Sequence, residues 1–575
     1  MDLQESAFQR AQEWLRLLPL DKEKQEIQEI LRDENKLQEH FGGTLQFGTA
    51  GMRAIMGIGS ARINNYTVAQ AALGLARYLG RGRVVLAFDA RKNSCNFAQL
   101  CAKILKNRNF EVIFFPEPTP TPLVPFALRE KFADFGIVIT ASHNPPQYNG
   151  IKVYSSIGAQ IIPPIDKEIA QHIAKISLEE CVAAYQEKAQ DIEDGFSSVR
   201  EIKERYLKFI SEEVLSPDFN ELKKRTIARF VYTPLHGSAG PIMVEVLQKC
   251  KLESLAIYVT SQMEPNGEFP TIKAPNPEHR ENLHEALLQA KRERAELIIA
   301  NDGDGDRLGV MLRKDNDDYE FLNGNELGVL LAYYLLLRQK DKLTKKELFI
   351  SSVVSSPLLA KLARHFGIHH RETLTGFKWM GNLAWQLEER ENLKLVFAYE
   401  EAFGYALCGE RDKDGISSAL LLIEAFLYCQ SRQQSLFSLL EELYRLVGFH
   451  TEGSLQLDFL PSEGLKKTTL IMDKLRQNPP IEILGENIAV AYDFEKQKRF
   501  ANGREEPLTG FSQENLLIWR SHTYWLAIRP SGTEPKIKAY YGVSYPPDLP
   551  LALAREKAPK ELALLQKQAA KLLSL

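Results

Sequence analysis

Asp302-Gly303-Asp304-Gly305-Asp306-Arg307 places three carboxylates at i, i+2 and i+4 around two glycines. That spacing makes a tight, oxygen-rich turn suited to a hard divalent cation. An EF-hand loop would carry Gly at its sixth position and Glu at its twelfth. Those positions hold Arg307 and Arg313, so that reading fails. A small site completed by a phosphate oxygen suits Mg²⁺ better than a cage of protein ligands.

Three further runs carry chemistry of a matching kind. Thr140-Ala141-Ser142-His143-Asn144-Pro145 offers a serine nucleophile without the flanking glycines of a hydrolase elbow. Standing alone, it would read equally well as a capping turn. Arg529-Pro530-Ser531-Gly532-Thr533 joins small residues, which expose backbone N–H groups, to an arginine, as a phosphate cradle requires. Tyr399-Glu400-Glu401-Ala402-Phe403-Gly404 and the nearby Arg411-Asp412-Lys413-Asp414-Gly415 offer acids for sugar hydroxyls and a lysine for phosphate or proton transfer. Isolated acidic pairs are mostly solvated, so the weight lies in the combination. A cation and basic groups stabilise a transferring phosphoryl group, a distant basic loop holds a second phosphate, and carboxylates grip a polyol.

The elements that must position these loops are legible as short apolar runs, each ending in a polar turn. They are residues 84–88, 136–139, 230–232, 297–300, 349–354 and 395–398, alternating with helical stretches. Such alternation marks α/β layers with buried strands, whose ligands sit beyond the carboxyl ends of the strands. Taken in pairs, the six runs predict three similar mixed α/β domains. Residues 1–40 predict a helical layer with Phe8, Trp14, Leu15 and Leu18 on one side. Beyond about residue 450, amphipathic strands at 454–459, 488–493 and 523–528, with a helix from about Lys560, predict a C-terminal α+β domain. The expected domains are 1–215 with the serine loop, 216–341 with the metal loop, 342–450 with the sugar loop and 451–575 with the phosphate loop.

Composition excludes other classes. The 72 Lys+Arg against 75 Asp+Glu give a net charge of −3, without the basic excess of a nucleic-acid binder. The longest uncharged apolar run, residues 327–337, is too short for a bilayer, and the N-terminus carries no signal-peptide pattern. The six cysteines lack metal spacing and read as reduced thiols of a cytoplasmic protein. Nothing in the sequence specifies an oligomeric state.

With all four loops present in order, residues 40–545 resemble the α-D-phosphohexomutase superfamily, whose members arrange four domains around a central cleft. Residues 47–53 (Phe-Gly-Thr-Ala-Gly-Met-Arg), Leu374-Thr375-Gly376-Phe377-Lys378-Trp379 and Glu400-Glu401-Ala402 are most similar to the branch containing phosphoglucomutase, phosphopentomutase and glucose-1,6-bisphosphate synthase. The resemblance implies a phosphosugar mutase that interconverts a sugar 1-phosphate and 6-phosphate, first of all those of glucose. The pentose, mannose and bisphosphate-synthase activities stand as alternatives. It implies a phosphoserine at Ser142, Mg²⁺ held by Asp302, Asp304, Asp306 and the Ser142 phosphate, and a sugar bisphosphate activator such as glucose 1,6-bisphosphate. It assigns Lys152 as general acid/base, with Arg53, His143 and Arg307 at the same end of the cleft. Thr375 and Gly376 fall in a sugar-orienting loop, Glu400 at a sugar hydroxyl and Lys413 at the substrate. Arg529, Ser531, Gly532 and Thr533 fall at the non-reacting phosphate. Two positions depart from the family pattern: Ala402 stands where a serine hydroxyl is familiar, and Gly404 where phosphomannomutases carry a histidine.

Overall fold

The computed structural model describes residues 3–47, 51–188, 196–224, 228–339, 343–459, 461–501, 503–531 and 536–574. Strands form where branched and aromatic residues run uninterrupted. The first sheet contains β1 (Met52–Ile55), β2 (Arg83–Phe88), β3 (Glu111–Phe114), β4 (Phe135–Ile139) and β5 (Tyr148–Ser155). Their order is β1-β5-β4-β2-β3, with β2 parallel to both β3 and β4, and β5 antiparallel to β4 and β1. Val85, Leu86 and Ala87 of β2 are fully buried. Each fully buried aliphatic side chain of valine size or larger contributes about 1.5–3 kcal/mol, and a strand covered on both faces needs no polar alternation.

The second sheet repeats this plan. It comprises β6 (Phe230–Thr233), β7 (Ala256–Tyr258), β8 (Leu297–Asn301), β9 (Leu308–Arg313) and β10 (Tyr319–Leu322), in the order β10-β9-β8-β6-β7. Here β6 is parallel to β7 and β8, as β2 is to β3 and β4, and β9 returns antiparallel to β8. Thus β4 and β8 hold equivalent places. The serine loop leaves the end of β4 and the aspartate loop leaves the end of β8, so one topology delivers both halves of the chemistry.

The chain packs as two units. One comprises Met1–Asn323, Phe377–Phe397 and Ala402–Ser431; the other Gly324–Gly376, Ala398–Glu401 and Arg432–Leu575. In the first, the N-terminal helices Leu3–Leu17, Asp21–Ile30 and Glu34–Phe41 cover the first sheet's helices. The buried stripe runs Ala7, Ala11, Trp14, Leu18, whereas Phe8 is 48% exposed. The expectation for Phe8 is corrected: the i, i+4, i+7, i+11 period selects the alanine beside it.

In the second unit, Glu347–Ser352 and His369–Thr373 pair in parallel. The expected strand 349–354 ends two residues early. The Ser355 N–H donates to the Ser352 carbonyl at 3.0 Å, and the two serine hydroxyls meet at 2.8 Å, closing a turn. The apolar run 327–337 lies inside the helix Gly324–Gln339, buried over most of its length. A seven-stranded antiparallel sheet ends on His450–Asp458, which pairs with Lys536–Ser544. The last helix spans Leu551–Leu573 and starts well before Lys560, with Pro559 inside it. An interior proline costs about 3 kcal/mol, but Ala554, Ala558, Leu565 and Ala569 are buried in the core of this sheet on both sides of it. Among the described residues no helix is long and apolar enough to cross a membrane. None of the six cysteines is in a disulfide.

Candidate functional site

Ser142 sits just past β4 with a left-handed φ of 52°, a conformation that non-glycine residues adopt at a cost. Its N–H donates to Thr140 Oγ1 at 2.8 Å, and the Thr140 hydroxyl donates to Asp89 Oδ2 at 2.6 Å. The side chain is thereby aimed inward, and Ser142 Oγ donates to Asp302 Oδ2 at 2.9 Å. His143 Nδ1 lies 3.2 Å from the same oxygen. Burial, followed by the charges of Arg307, Arg53, Arg91 and Lys152, holds the His143 imidazole well below the usual histidine range. It is neutral near pH 7 and able to share a hydrogen bond without adding charge.

The aspartate loop folds back on itself. The N–H groups of Asp306 and Arg307 donate to Asp302 Oδ1 at 3.0 and 3.1 Å, and Gly305 takes φ 74° at the turn. Asp302, Asp304 and Asp306 are buried, with one carboxylate oxygen of each lying within 4.8 Å of the others. Lys152, on β5 opposite Val138 of β4, spans Asp304 Oδ2 at 2.7 Å and Asp306 Oδ2 at 2.9 Å. Thr121 donates to Asp304 Oδ2 at 2.7 Å, and Lys413 Nζ lies 3.4 Å from Asp306 Oδ2.

The electrostatics follow from this crowding. Burial, then the neighbouring Asp304 and Asp306, push the Asp302 carboxyl well up. Burial works in the same direction on Asp304, but Lys152 and the Thr121 hydroxyl outweigh it and hold Asp304 below the usual carboxylate range. Burial disfavours charge on Lys152, yet Asp304 and Asp306 more than offset it and raise the ammonium. Oδ1 of Asp304 and Oδ1 of Asp306 are buried without a hydrogen-bond partner. Orphaned carboxylate oxygens in an all-oxygen set fit a hard divalent cation, which would satisfy them and relieve their mutual repulsion.

Arg53, on β1 opposite Gly150 of β5, donates to Asn144 Oδ1 at 2.8 Å. Arg307 pairs with Glu278. Lys413 lies 5.3 Å from the centroid of the Phe377 ring and 3.3 Å from Asp412 Oδ1, while Asp412 Oδ2 accepts from Tyr154 and Gln160 at 2.8 and 2.7 Å. The first unit therefore brings together Ser142, His143, Lys152, Arg53, the three aspartates and Lys413, and places Arg307 beside them.

The remaining expected residues belong to the second unit. Glu400 is buried at the end of its strand, and Glu401 accepts from Ser352 Oγ at 3.1 Å. Thr375 is buried with its hydroxyl unpartnered, and Gly376 takes φ 109°. Arg529 pairs with Glu514 at 2.7 Å. Burial disfavours its charge, but Glu514, Tyr540, Glu401 and Glu400 overcome this and raise it. The N–H of Ser531 donates to the Lys536 carbonyl at 2.8 Å. Gly532 and Thr533 lie outside the described residues.

Reading the motifs singly assigns no role to Asp89, Arg91, Thr121, Asp412 and Glu278. Asp89 and Arg91 lie in the polar turn after a buried strand and Asp412 lies in the lysine-bearing motif; Thr121 and Glu278 are brought in by long-range contacts alone.

Residues 44–180, 204–315 and 323–447 match the α/β/α domains I, II and III of phosphoglucomutase/phosphomannomutase. A phosphoglucomutase of Staphylococcus saprophyticus is 33% identical over 527 residues, 89% of this chain and 92% of that protein. One from Staphylococcus haemolyticus is 34% identical, covering 88% of this chain and 92% of its own. In fold, the chain is similar to the parafusin phosphoglucomutase of Paramecium in an open form, with a TM-score of 0.66 and 17% identity over 92% of this chain and 95% of that one. It is also similar to a phosphoglucomutase/phosphomannomutase family protein of Burkholderia thailandensis, with a TM-score of 0.59 and 20% identity over 91% and 97%. These likenesses define a phosphosugar mutase of the α-D-phosphohexomutase superfamily, built from three α/β/α domains and a C-terminal β-rich domain. Within it, the chain belongs to the phosphoglucomutase/phosphomannomutase family.

Proposed function

We propose that the protein interconverts glucose 1-phosphate and glucose 6-phosphate through a phosphorylated Ser142. The observation that carries the reading is the contact of Ser142 Oγ with Asp302 Oδ2 at 2.9 Å, beside two carboxylates whose outer oxygens have no partner. A serine that merely capped a turn would not need to face three buried carboxylates. Two relatives at 33% and 34% identity are named phosphoglucomutase, which favours glucose as the sugar.

In the first half-reaction the bond from phosphorus to Ser142 Oγ breaks, a bond to the free sugar hydroxyl forms, and the hydroxyl proton leaves. The resulting bisphosphate turns around, and the other phosphoryl group returns to Ser142. Lys152, kept charged by two carboxylates, balances the transferring phosphoryl; it gives its proton to the departing Ser142 Oγ and regains one from the attacking sugar hydroxyl, so its charge is unchanged over the step. Neutral His143 steadies Oγ. Arg53 and Arg307 contact the phosphoryl oxygens, and Lys413 the substrate. Asp302, Asp304 and Asp306, with the Ser142 phosphate, would hold Mg²⁺, which would supply positive charge to the phosphoryl oxygens. Thr375, Gly376 and Glu400 orient the sugar, while Arg529, Ser531, Gly532 and Thr533 hold the phosphate at rest. Glucose 1,6-bisphosphate serves as activator by phosphorylating an empty Ser142.

We read the domains as 1–215, 216–341, 342–450 and 451–575; the family matches at 44–180, 204–315 and 323–447 support the number and order of the α/β domains. We read the substrates as free small-molecule phosphosugars, which the relatives named phosphoglucomutase support, and the location as the cytoplasm. The test is a panel of glucose, mannose, ribose and N-acetylglucosamine 1-phosphates, each with its bisphosphate. Isomerised glucose phosphate is the expected result. Accumulating bisphosphate as the end product, or no turnover of any hexose phosphate, would overturn it.

A further inference from the structure

We infer that Arg91 is a positioning residue that locks the Ser142 loop in its reactive conformation; the inference rests on the phosphoserine reading above. Arg91 follows β2 by three positions, and its side chain is fully buried. Its Nη1 donates to the carbonyls of Pro145 at 2.8 Å and Tyr148 at 3.1 Å. Its Nη2 donates to the carbonyl of Ser142 at 2.7 Å and to that of Asn144. All four terminal N–H bonds of the guanidinium are thus spent on carbonyls of one seven-residue loop. Nε lies 3.2 Å from Asp89 Oδ2, and the guanidinium carbon is 5.3 Å from the centroid of the Phe269 ring.

This arrangement answers a specific need. Ser142 has φ 52°, and a left-handed non-glycine residue persists only where its surroundings over-determine it. Thr140 pins the Ser142 N–H and Arg91 pins its C=O, so both flanking peptide planes are set from Asp89 and Arg91. Collecting four carbonyl oxygens on one cation also turns their negative ends toward the guanidinium. Arginine alone suits the task. Its planar fork has donors on two nitrogens, whereas a lysine offers three donors from one point and cannot span carbonyls from 142 to 148.

The test is Arg91→Lys in the full chain, with wild type alongside. Intact mass would follow phosphate on Ser142, and rapid quench its transfer to glucose 1-phosphate. Lysine preserves the charge facing Asp89, so the fold is expected to survive. The transfer rate should fall about 10- to 100-fold, the range expected when a reacting group is misplaced by a fraction of an ångström to an ångström. KM for glucose 1-phosphate should stay within about 2-fold, because the sugar loop is untouched. Amide exchange should quicken in 140–148 and not elsewhere. Should Arg91→Lys fail to fold, Phe269→Leu removes the ring beside the guanidinium without stranding a charge, and should slow transfer at least about 3-fold with KM unchanged. A wild-type transfer rate in whichever of these variants folds, or a parallel change in kcat, KM and exchange across the whole chain, would overturn the inference. A wild type that carries no phosphate on Ser142 would instead overturn the function on which it rests.

Discussion

Ser142 Oγ donates to Asp302 Oδ2 across 2.9 Å, joining residues 160 positions apart at the ends of two topologically equivalent strands. The contact puts a potential nucleophile directly against the carboxylate turn, and the sharpest expectations follow from it.

Ser142→Ala should abolish turnover and remove phosphate from the purified enzyme, as intact-mass measurement would register. Its melting temperature should change little, since one hydrogen bond is worth about 0.5–1.5 kcal/mol net. An active alanine variant would end the covalent mechanism.

Mg²⁺ should raise the melting temperature by binding only the folded carboxylate turn. At a hundredfold excess over its dissociation constant the gain is about 2.7 kcal/mol. Asp304→Asn should lose most of that shift and lower activity by orders of magnitude, as should EDTA until Mg²⁺ is restored. Calorimetry with and without Mg²⁺ reads the first effect independently of catalysis.

Gly381→Ala sets two effects against each other. In an exposed helix interior the change would stabilise by about 1 kcal/mol. At Gly381, however, an added Cβ would lie 1.9 Å from the Arg411 carbonyl oxygen, in the loop that carries Lys413. Backbone must move, and overpacking costs about 1–3 kcal/mol, so the steric effect wins. Denaturant unfolding should show net loss, with a fall in kcat/KM as Lys413 is displaced.

Glu452 carries a pH dependence of stability. Its Oε1 is buried without a hydrogen-bond partner, and burial raises its carboxyl from 4.5 to about 8, opposed by Ser356. Below pH 4.5 both folded and unfolded states hold the proton. Between that value and pH 8 only the folded state does, so stability falls with rising pH by up to about 1.4 kcal/mol per unit. Glu452→Gln should therefore match wild type near pH 4.5 and exceed it at pH 8.5 in melting temperature. A constant difference across that range would remove Glu452 as the cause.

Glu400→Gln should cut kcat/KM for the true substrate by roughly 10- to 150-fold, the cost of a charged hydrogen bond to a sugar hydroxyl. Both phosphate isomers should suffer alike, because the sugar meets the same loop in either orientation. Ala402→Ser, which restores a hydroxyl beside it, should shift preference toward hexose over pentose phosphates. Unchanged kinetics for Glu400→Gln on every sugar phosphate would place the sugar on another loop.

The local features were legible in the sequence because their physics is local. Alternate aspartates around glycines make an oxygen-rich turn wherever they occur, and the apolar runs 84–88, 136–139, 230–232 and 297–300 lie within strands because nothing in them competes with the ladder. Periodicity also marked the N-terminal helices. It could not decide between Ala7 and Phe8, adjacent on the helix surface, because the choice depends on what packs opposite. Likewise the sequence places the last helix from about Lys560, whereas it begins at Leu551 and runs through Pro559, because burial of Ala554 and Ala558 beside the sheet outweighs the proline's lost hydrogen bond. Thr121 on Asp304, Arg91 on the Ser142 loop and Asp412 on Tyr154 act across long stretches of chain, so no window of sequence contains both partners of these contacts. The residue types of the site belong to the sequence. Which lysine meets which aspartate, and which arginine closes the serine loop, was decided only when two similar sheets brought their strand ends together, since those bonds exist only across long-range contacts.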